Sequence, residues 1–217
     1  MDLPDWLRVL ADAVRDPGAL GGLPTLLAPE DGVGRASAVL IALGDTDRGP
    51  AVLLIQRAAT MRRHAGQVAF PGGAVDPTDE HHLAAALREA QEEVGLDPAS
   101  VRPVAELPAL YIPRSGFVVT PILAWWERPH PVVAVDPAEV ARVAVVPVAE
   151  LTDPAHRFTV RHPSGFTGPA FEVDGLFIWG FTAALLDRLL DLGGWERPWD
   201  RGASRPLPAH LSGRPST

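Results

Sequence analysis

The sequence predicts an α/β fold, a mixed central β-sheet with helices on both faces. Three observations support this. β-Branched and aliphatic runs read as strands at 36–42, 51–56, 117–126, 132–135 and 143–148. Helical apolar spacing appears near each end of the chain and once in its middle. Strands are interleaved with two or three helices without a regular βαβ alternation, which suggests a mixed sheet. With 47% hydrophobic and 21% charged residues among 217, the chain has the composition of one globular domain with a buried core.

From the N-terminus, Leu3, Trp6, Leu7, Leu10 and Val14 recur at helical spacing until Asp16-Pro17-Gly18 ends the pattern. A loop rich in Gly, Pro and Leu leads to Gly34, and a turn over 44–50 separates the first two strands. A short strand over 67–70 runs into Pro71-Gly72-Gly73. Asp76 then caps a helix, with Pro77 at the first helical position and Asp79 in an acidic first turn. Leu83, Leu87, Ala90 and Val94 form its apolar face, and Gly95 its C-terminal cap. A last helix is expected over 182–192. Trp125, Trp126 and Trp179 read as core, Trp6 as part of a helix face, and Trp195 and Trp199 as pins at the start of the tail. The chain thus divides into an N-terminal helix and loop (1–34), a main domain (35–192) and a loosely held tail rich in Pro and Arg (193–217).

Composition removes several chemistries. All 19 basic residues are arginine, so a Walker phosphate loop, a Schiff-base cofactor site and a protein kinase, each of which requires a lysine, are excluded. Without cysteine there is no disulfide framework, thiolate zinc site or thiol nucleophile. A net charge of −8 argues against nucleic-acid or anionic-membrane partners, so an anionic substrate would need a local cation. The first residues lack the basic and apolar regions of a signal peptide, and a cytoplasmic location is expected.

One helix concentrates the acids. At 100° per residue its four apolar residues project within about 60° of one another, while Glu89, Glu92 and Glu93 fan across about 100° on another side. Two carboxylates about 5 Å apart in a partly sheltered site repel by roughly 3 kcal/mol. Arg88, four residues before Glu92, can pair with it, but one guanidinium cannot neutralise three acids. Mg²⁺ or Mn²⁺ takes oxygen ligands and would offset the repulsion, bridge phosphate oxygens and acidify a water. The competing interpretation is a solvated acidic face, where repulsion costs a few tenths of a kcal/mol per pair.

The wider spacing decides between them. Glu80, seven residues, then Arg88-Glu89-Ala90-Gln91-Glu92-Glu93-Val94-Gly95-Leu96, all after Pro71-Gly72-Gly73, resembles the Nudix box of the Nudix hydrolases. That box is written as glycine, five residues, glutamate, seven residues, then Arg-Glu-hydrophobic-x-Glu-Glu-x-Gly-hydrophobic, and every position from Arg88 onward matches. Six residues, not five, separate Gly73 from Glu80, so either the loop carries an insertion or Asp79 takes the first acidic place. A longer loop with Asp76 and Asp79 is similar to the coenzyme A pyrophosphatase branch. So is the upstream run Leu53-Leu54-Ile55-Gln56-Arg57, followed by Arg62-Arg63-His64-Ala65-Gly66-Gln67 and on to Gly73.

The resemblance implies an α/β/α sandwich and a metal-dependent hydrolase that splits the pyrophosphate of coenzyme A or acyl-CoA. It implies Glu89, Glu92 and Glu93 as ligands of Mg²⁺ or Mn²⁺, with the Gly73 carbonyl beside them and Arg88 holding a ligand glutamate in place. Arg57, Arg62, His64 and Gln67 become phosphate contacts, and Glu139 an additional catalytic acid; the general base is left open among the glutamates. A homodimer is the family's common state. Two alternatives remain: the same chemistry on ADP-ribose, a dinucleotide or a nucleoside triphosphate, and a nucleotide-binding sensor without turnover.

Overall fold

A computed structural model describes residues 2–21, 23, 34–61, 64–113 and 115–212. Helix α1 (Asp5–Ala13) precedes the first hairpin, β1 (Arg35–Thr46) and β2 (Gly49–Arg57). Short strands β3 (Val68–Ala69) and β4 (Gly72–Ala74) lead to helix α2 (His82–Val94). Then come β5 (Val101–Glu106), β6 (Leu110–Ile112), β7 (Phe117–Trp126), β8 (Val140–Pro147) and the short helix α3 (Val148–Leu151). Strands β9 (Arg157–Arg161), β10 (Thr167–Val173) and β11 (Leu176–Ile178), helix α4 (Gly180–Leu192) and strand β12 (Ser204–Pro206) complete the chain.

The main sheet is mixed, as expected: β1 runs parallel to β7, and every other pairing in that sheet is antiparallel. Its side chains alternate with period two between covered faces. Ala38, Leu40 and Ala42 of β1, with Leu53 and Ile55 of β2, pack under Ala85, Ala86, Ala90 and Val94 of α2. Ile41, Leu43, Val52 and Leu54 point the other way, onto Leu7 and Leu10 of α1 and Leu186 and Leu189 of α4. Both faces being buried explains why these strands read as continuous apolar runs. The alanines on both sides of the α2 interface let that helix lie close to the strands that carry the site.

Four expectations need correction. The 44–50 turn shrinks to Asp47-Arg48, because the ladder continues through Thr46↔Gly49. Helix α2 begins at His82 rather than at Pro77, and its cap is His81, whose Nδ1 accepts the Ala84 N–H at 3.0 Å. The Asp76-Pro77 signal loses because Asp79 folds back: its carboxylate takes the Asp76 N–H and the Arg88 guanidinium, which closes a loop where a helical turn was expected. Residues 132–135 form no strand; Val133 and Val135 give their N–H groups to the Val94 and Glu93 carbonyls, which lack intrahelical partners at the end of α2.

The tail is also tied down, as far as Ser212. Strand β12 pairs parallel with β9 in a second sheet of order β11-β10-β9-β12. Arg157, its side chain fully buried, pairs with Asp187 of α4 and lies 3.6 Å from Glu196 and over the Trp199 ring. A charged residue at the start of a strand hides this anchoring from hydropathy. Of the tryptophans, Trp126 is buried, Trp125 and Trp179 are half-buried, and Trp6 lies against Trp195. Among the described residues no helix is long and apolar enough to cross a membrane.

Candidate active site

The last two turns of α2 and the two strands in front of it build one cluster. Arg88 is its hub, and all five guanidinium N–H groups are used. Its Nε and Nη2 grip the Asp79 carboxylate at 3.1 and 3.0 Å, and Nη2 also reaches the Ala74 carbonyl at 3.1 Å. Nη1 bridges Glu89 at 3.0 Å and Glu92 at 3.2 Å. Arg88 thereby holds the acidic loop against the acidic helix. Its hydrogen bonds pull the Asp79 carboxyl below the usual aspartate range, and Asp79 in turn raises the Arg88 pKa. Glu80 is exposed, so Asp79 takes the place beside Arg88 that the residue count had left open.

The other two glutamates are buried to different depths. Glu93, 6% exposed, accepts the Gly72 N–H on Oε2 at 3.0 Å. Loss of water pushes its pKa up to about 7, against the opposing pull of that hydrogen bond and of Arg57. Burial raises the Glu89 pKa as well, again against Arg88. Glu92 is exposed, and repulsion from it adds to the Glu89 shift.

The glycine pair makes this packing sterically possible. A Cβ on Gly73 would stand 2.5 Å from both Glu89 carboxylate oxygens, and a Cβ on Gly72 would stand 2.7 Å from Val39 Cα. Only a bare backbone lets β4 run between β1 and the carboxylates.

Arg57 enters from the opposite side. The β2–β8 ladder shifts register between Gln56 and Arg57, a bulge that re-aims the side chain at the end of the strand. Its Nη1 lies 3.8 Å from Glu93 Oε1, and its buried Nε has no partner among the described residues. The Ala58 N–H binds the Glu139 carbonyl, which brings the exposed Glu139 close enough to repel Glu93.

The predicted residues therefore fall into two groups. Arg88, Glu89, Glu92, Glu93, Gly73, Arg57 and Glu139 gather around the C-terminal half of α2. His64 and Gln67 sit on the loop after β2 and bond to each other, Nδ1 to Oε1, at 2.8 Å. His64 has φ 56, a left-handed conformation uncommon outside glycine. Arg62 lies outside the described residues. His82 pairs with Glu106 at 3.0 Å, away from the carboxylates. Sequence reasoning missed the Gly72 N–H as the donor to Glu93; no residue type announces a backbone group.

The donor set suits a hard divalent cation: carboxylate oxygens, two of them on half-buried or buried groups whose charge is costly without a counter-ion. Among the described residues no three His, Asp or Glu side chains stand together as a ready metal cluster. Glu89 and Glu92 turn to Arg88, and Glu93 turns to Gly72 and Arg57. The three glutamates do not converge on one point as expected; they pair with the two arginines and the Gly72 N–H. Glu89 and Glu93, each packed against the backbone of the Gly72-Gly73 pair, are the sheltered oxygen donors that would hold a cation.

Comparison with known proteins places these elements in context. A model of the NUDIX domain matches residues 34–164. A relative from Cronobacter sakazakii, named "Uncharacterized Nudix hydrolase NudL", is 43% identical over 157 residues, covering 69% of this chain and 78% of its own. The protein of the same name from Citrobacter koseri is 41% identical over 162 residues, covering 71% and 81%. Among solved structures, RenU, a Nudix hydrolase from M. smegmatis, superposes with a TM-score of 0.54 at 20% identity, over 77% of this chain and 90% of RenU. That likeness is one of fold.

Proposed function

The chain belongs to the Nudix hydrolase family, and from that premise we propose that it cleaves the diphosphate of coenzyme A or an acyl-CoA. The products are adenosine 3′,5′-bisphosphate and 4′-phosphopantetheine or its acyl form. The observation that carries this reading is the meeting of two motifs at one carboxylate: Arg57, from the run that resembles the coenzyme A branch, faces Glu93 of the box at 3.8 Å.

Glu89, Glu92, Glu93 and the Gly73 carbonyl are the groups that would hold Mg²⁺ or Mn²⁺. When bound, such a cation offsets the diphosphate's charge and acidifies the attacking water. Arg88 holds Glu89 and Glu92 side by side while Asp79 fixes the guanidinium. Arg57, whose Nε–H has no partner among the described residues and whose fork lies near the helix, is assigned to the phosphates together with Arg62, His64 and Gln67. Water attacks one phosphorus, the bridging P–O bond breaks, and the water's proton passes to a carboxylate. Glu139, exposed beside Glu93 and outside the Arg88 network, is the group we assign to that proton.

The test is a substrate panel with Mg²⁺ or Mn²⁺: coenzyme A, an acyl-CoA, ADP-ribose, a dinucleotide and a nucleoside triphosphate. Release of adenosine 3′,5′-bisphosphate with coenzyme A as the preferred substrate supports the reading. Preference for ADP-ribose with coenzyme A untouched overturns the substrate, and binding without turnover of any member overturns the enzyme.

A further inference from the structure

The C-terminal segment lies outside the matched domain, yet it reaches the loop after β2 that carries His64 and Gln67 and closes on Arg57. That loop is closed by its own backbone: Gly66 N–H binds the Arg57 carbonyl at 3.1 Å, Arg57 N–H the Gln67 carbonyl at 2.9 Å, and Gln67 N–H the His64 carbonyl at 3.1 Å. Gly66 takes φ 69 to make the turn. Beside it stands Leu211, whose Cδ2 lies 3.6 Å from the position a Gly66 Cβ would occupy.

Leu211 is not there by accident of an unrestrained end. It is 3% exposed and packs with Leu207, Phe158, Val160 and Ala170 in a small core of its own, against half-buried Trp179. The segment before it is anchored three ways. Strand β12 pairs with β9 from Ser204↔Thr159 to Pro206↔Arg161. The Leu207 N–H binds the Arg161 carbonyl at 2.9 Å. Arg205 lies 2.7 Å from Glu172 and over the Phe158 ring. The first residue of α4's inner face supports the other end of the loop, with Thr182 Oγ1 donating to the Val68 carbonyl at 3.0 Å.

We propose that Leu211 is a positioning residue for the diphosphate site: the C-terminal segment seats it beside Gly66 and so steadies the turn that closes on Arg57, whose guanidinium faces Glu93 of α2. This rests on the reading of that loop as the phosphate-contacting element. Leu211 touches neither phosphate nor metal. It sets how well Arg57, His64 and Gln67 are preorganised for them, so its loss acts on substrate affinity and leaves the chemical step alone.

The experiment uses the full chain with Leu211→Ala and the conservative Leu211→Met. Amide hydrogen exchange is followed at Arg57, Gly66 and Gln67, with the amides of α2 as the internal reference, and coenzyme A kinetics and Mn²⁺ affinity are measured alongside. Leu211→Ala is expected to speed exchange at the three loop amides while α2 stays protected. KM rises roughly tenfold, kcat and Mn²⁺ affinity hold, and Leu211→Met restores KM. Unchanged loop exchange overturns the coupling whatever the substrate is. Faster loop exchange with KM unchanged overturns the positioning role. If wild-type protein turns over no member of the panel, the substrate reading fails while the exchange result still decides the coupling. If Leu211→Ala loosens α2 as well, Leu211→Met decides: the proposal falls if its KM departs from wild type while its α2 protection is intact.

Discussion

Removing the charge of Glu93 should flatten the pH dependence of stability in the metal-free protein. The Glu93 carboxyl rises from 4.5 to about 7 on folding, with burial as the main cause. Between those values the folded Glu93 binds more proton than the unfolded one, so this side chain's contribution to stability is full below 4.5 and is lost as pH rises through 7. At about 1.4 kcal/mol per pKa unit, the loss attributable to this side chain is on the order of 3 kcal/mol. For a chain of this size that is a melting-point difference of roughly 6–12 °C. The assay is thermal unfolding by circular dichroism at pH 5, 6, 7 and 8 in EDTA, for wild type and Glu93→Gln. Wild type should lose stability across the series, and Glu93→Gln should lose less by about that amount. Adding Mn²⁺ should shrink the wild-type slope, because a bound cation favours the carboxylate. Parallel pH profiles for the two proteins would refute the idea that Glu93 is held in a costly ionised state.

Four further substitutions, two of them compared as a pair, separate the parts of the cluster. Asp79→Asn removes the charge that grips Arg88 and should cost roughly 10–100-fold in activity or metal affinity, whereas Glu80→Gln, on an exposed side chain, should leave both unchanged; steady-state kinetics and a Mn²⁺ titration on the pair check this. Gly73→Ala drives a methyl group into the Glu89 carboxylate and should lower kcat/KM by roughly 100-fold, with an altered Glu89 environment visible by NMR. Glu139→Gln should lower kcat by roughly 100-fold or more while Mn²⁺ affinity is retained, and loss of metal binding in this variant would show that Glu139 is a ligand and not a base.

The parts of this molecule that periodicity could reveal were those that bury a face on the main sheet. Strand β7 spans the same residues, 117–126, that the apolar run marked, and Gly95 ends α2 with φ 70 as its position after Val94 suggested. The start of α2 was illegible because a local capping signal competed with a longer-range one: Arg88 claims Asp79 from two turns away. Strands β9 and β10 are hard to read because they offer few apolar residues, with Pro169 inside one and the charged Arg157 opening the other, and the Arg157–Asp187 pairing that buries that charge is made across 30 residues.

The site divides the same way. The residues of the α2 acidic face and the Arg57–Gln67 run could be picked out by type and spacing. Their arrangement could not, because it depends on where Arg88 sends its donors and on a Gly72 N–H supplied by β4. The choice between Asp79 and Glu80 was a question of loop geometry that a one-residue difference in spacing poses and does not answer.

The most direct test follows the fate of coenzyme A itself, by chromatographic separation of products after incubation with Mn²⁺, for wild type and Glu92→Gln. Adenosine 3′,5′-bisphosphate should accumulate with wild type, vanish when EDTA is added, and be nearly absent with Glu92→Gln. Turnover that survives both chelation and the substitution would contradict the assignment of the α2 carboxylates to a catalytic cation.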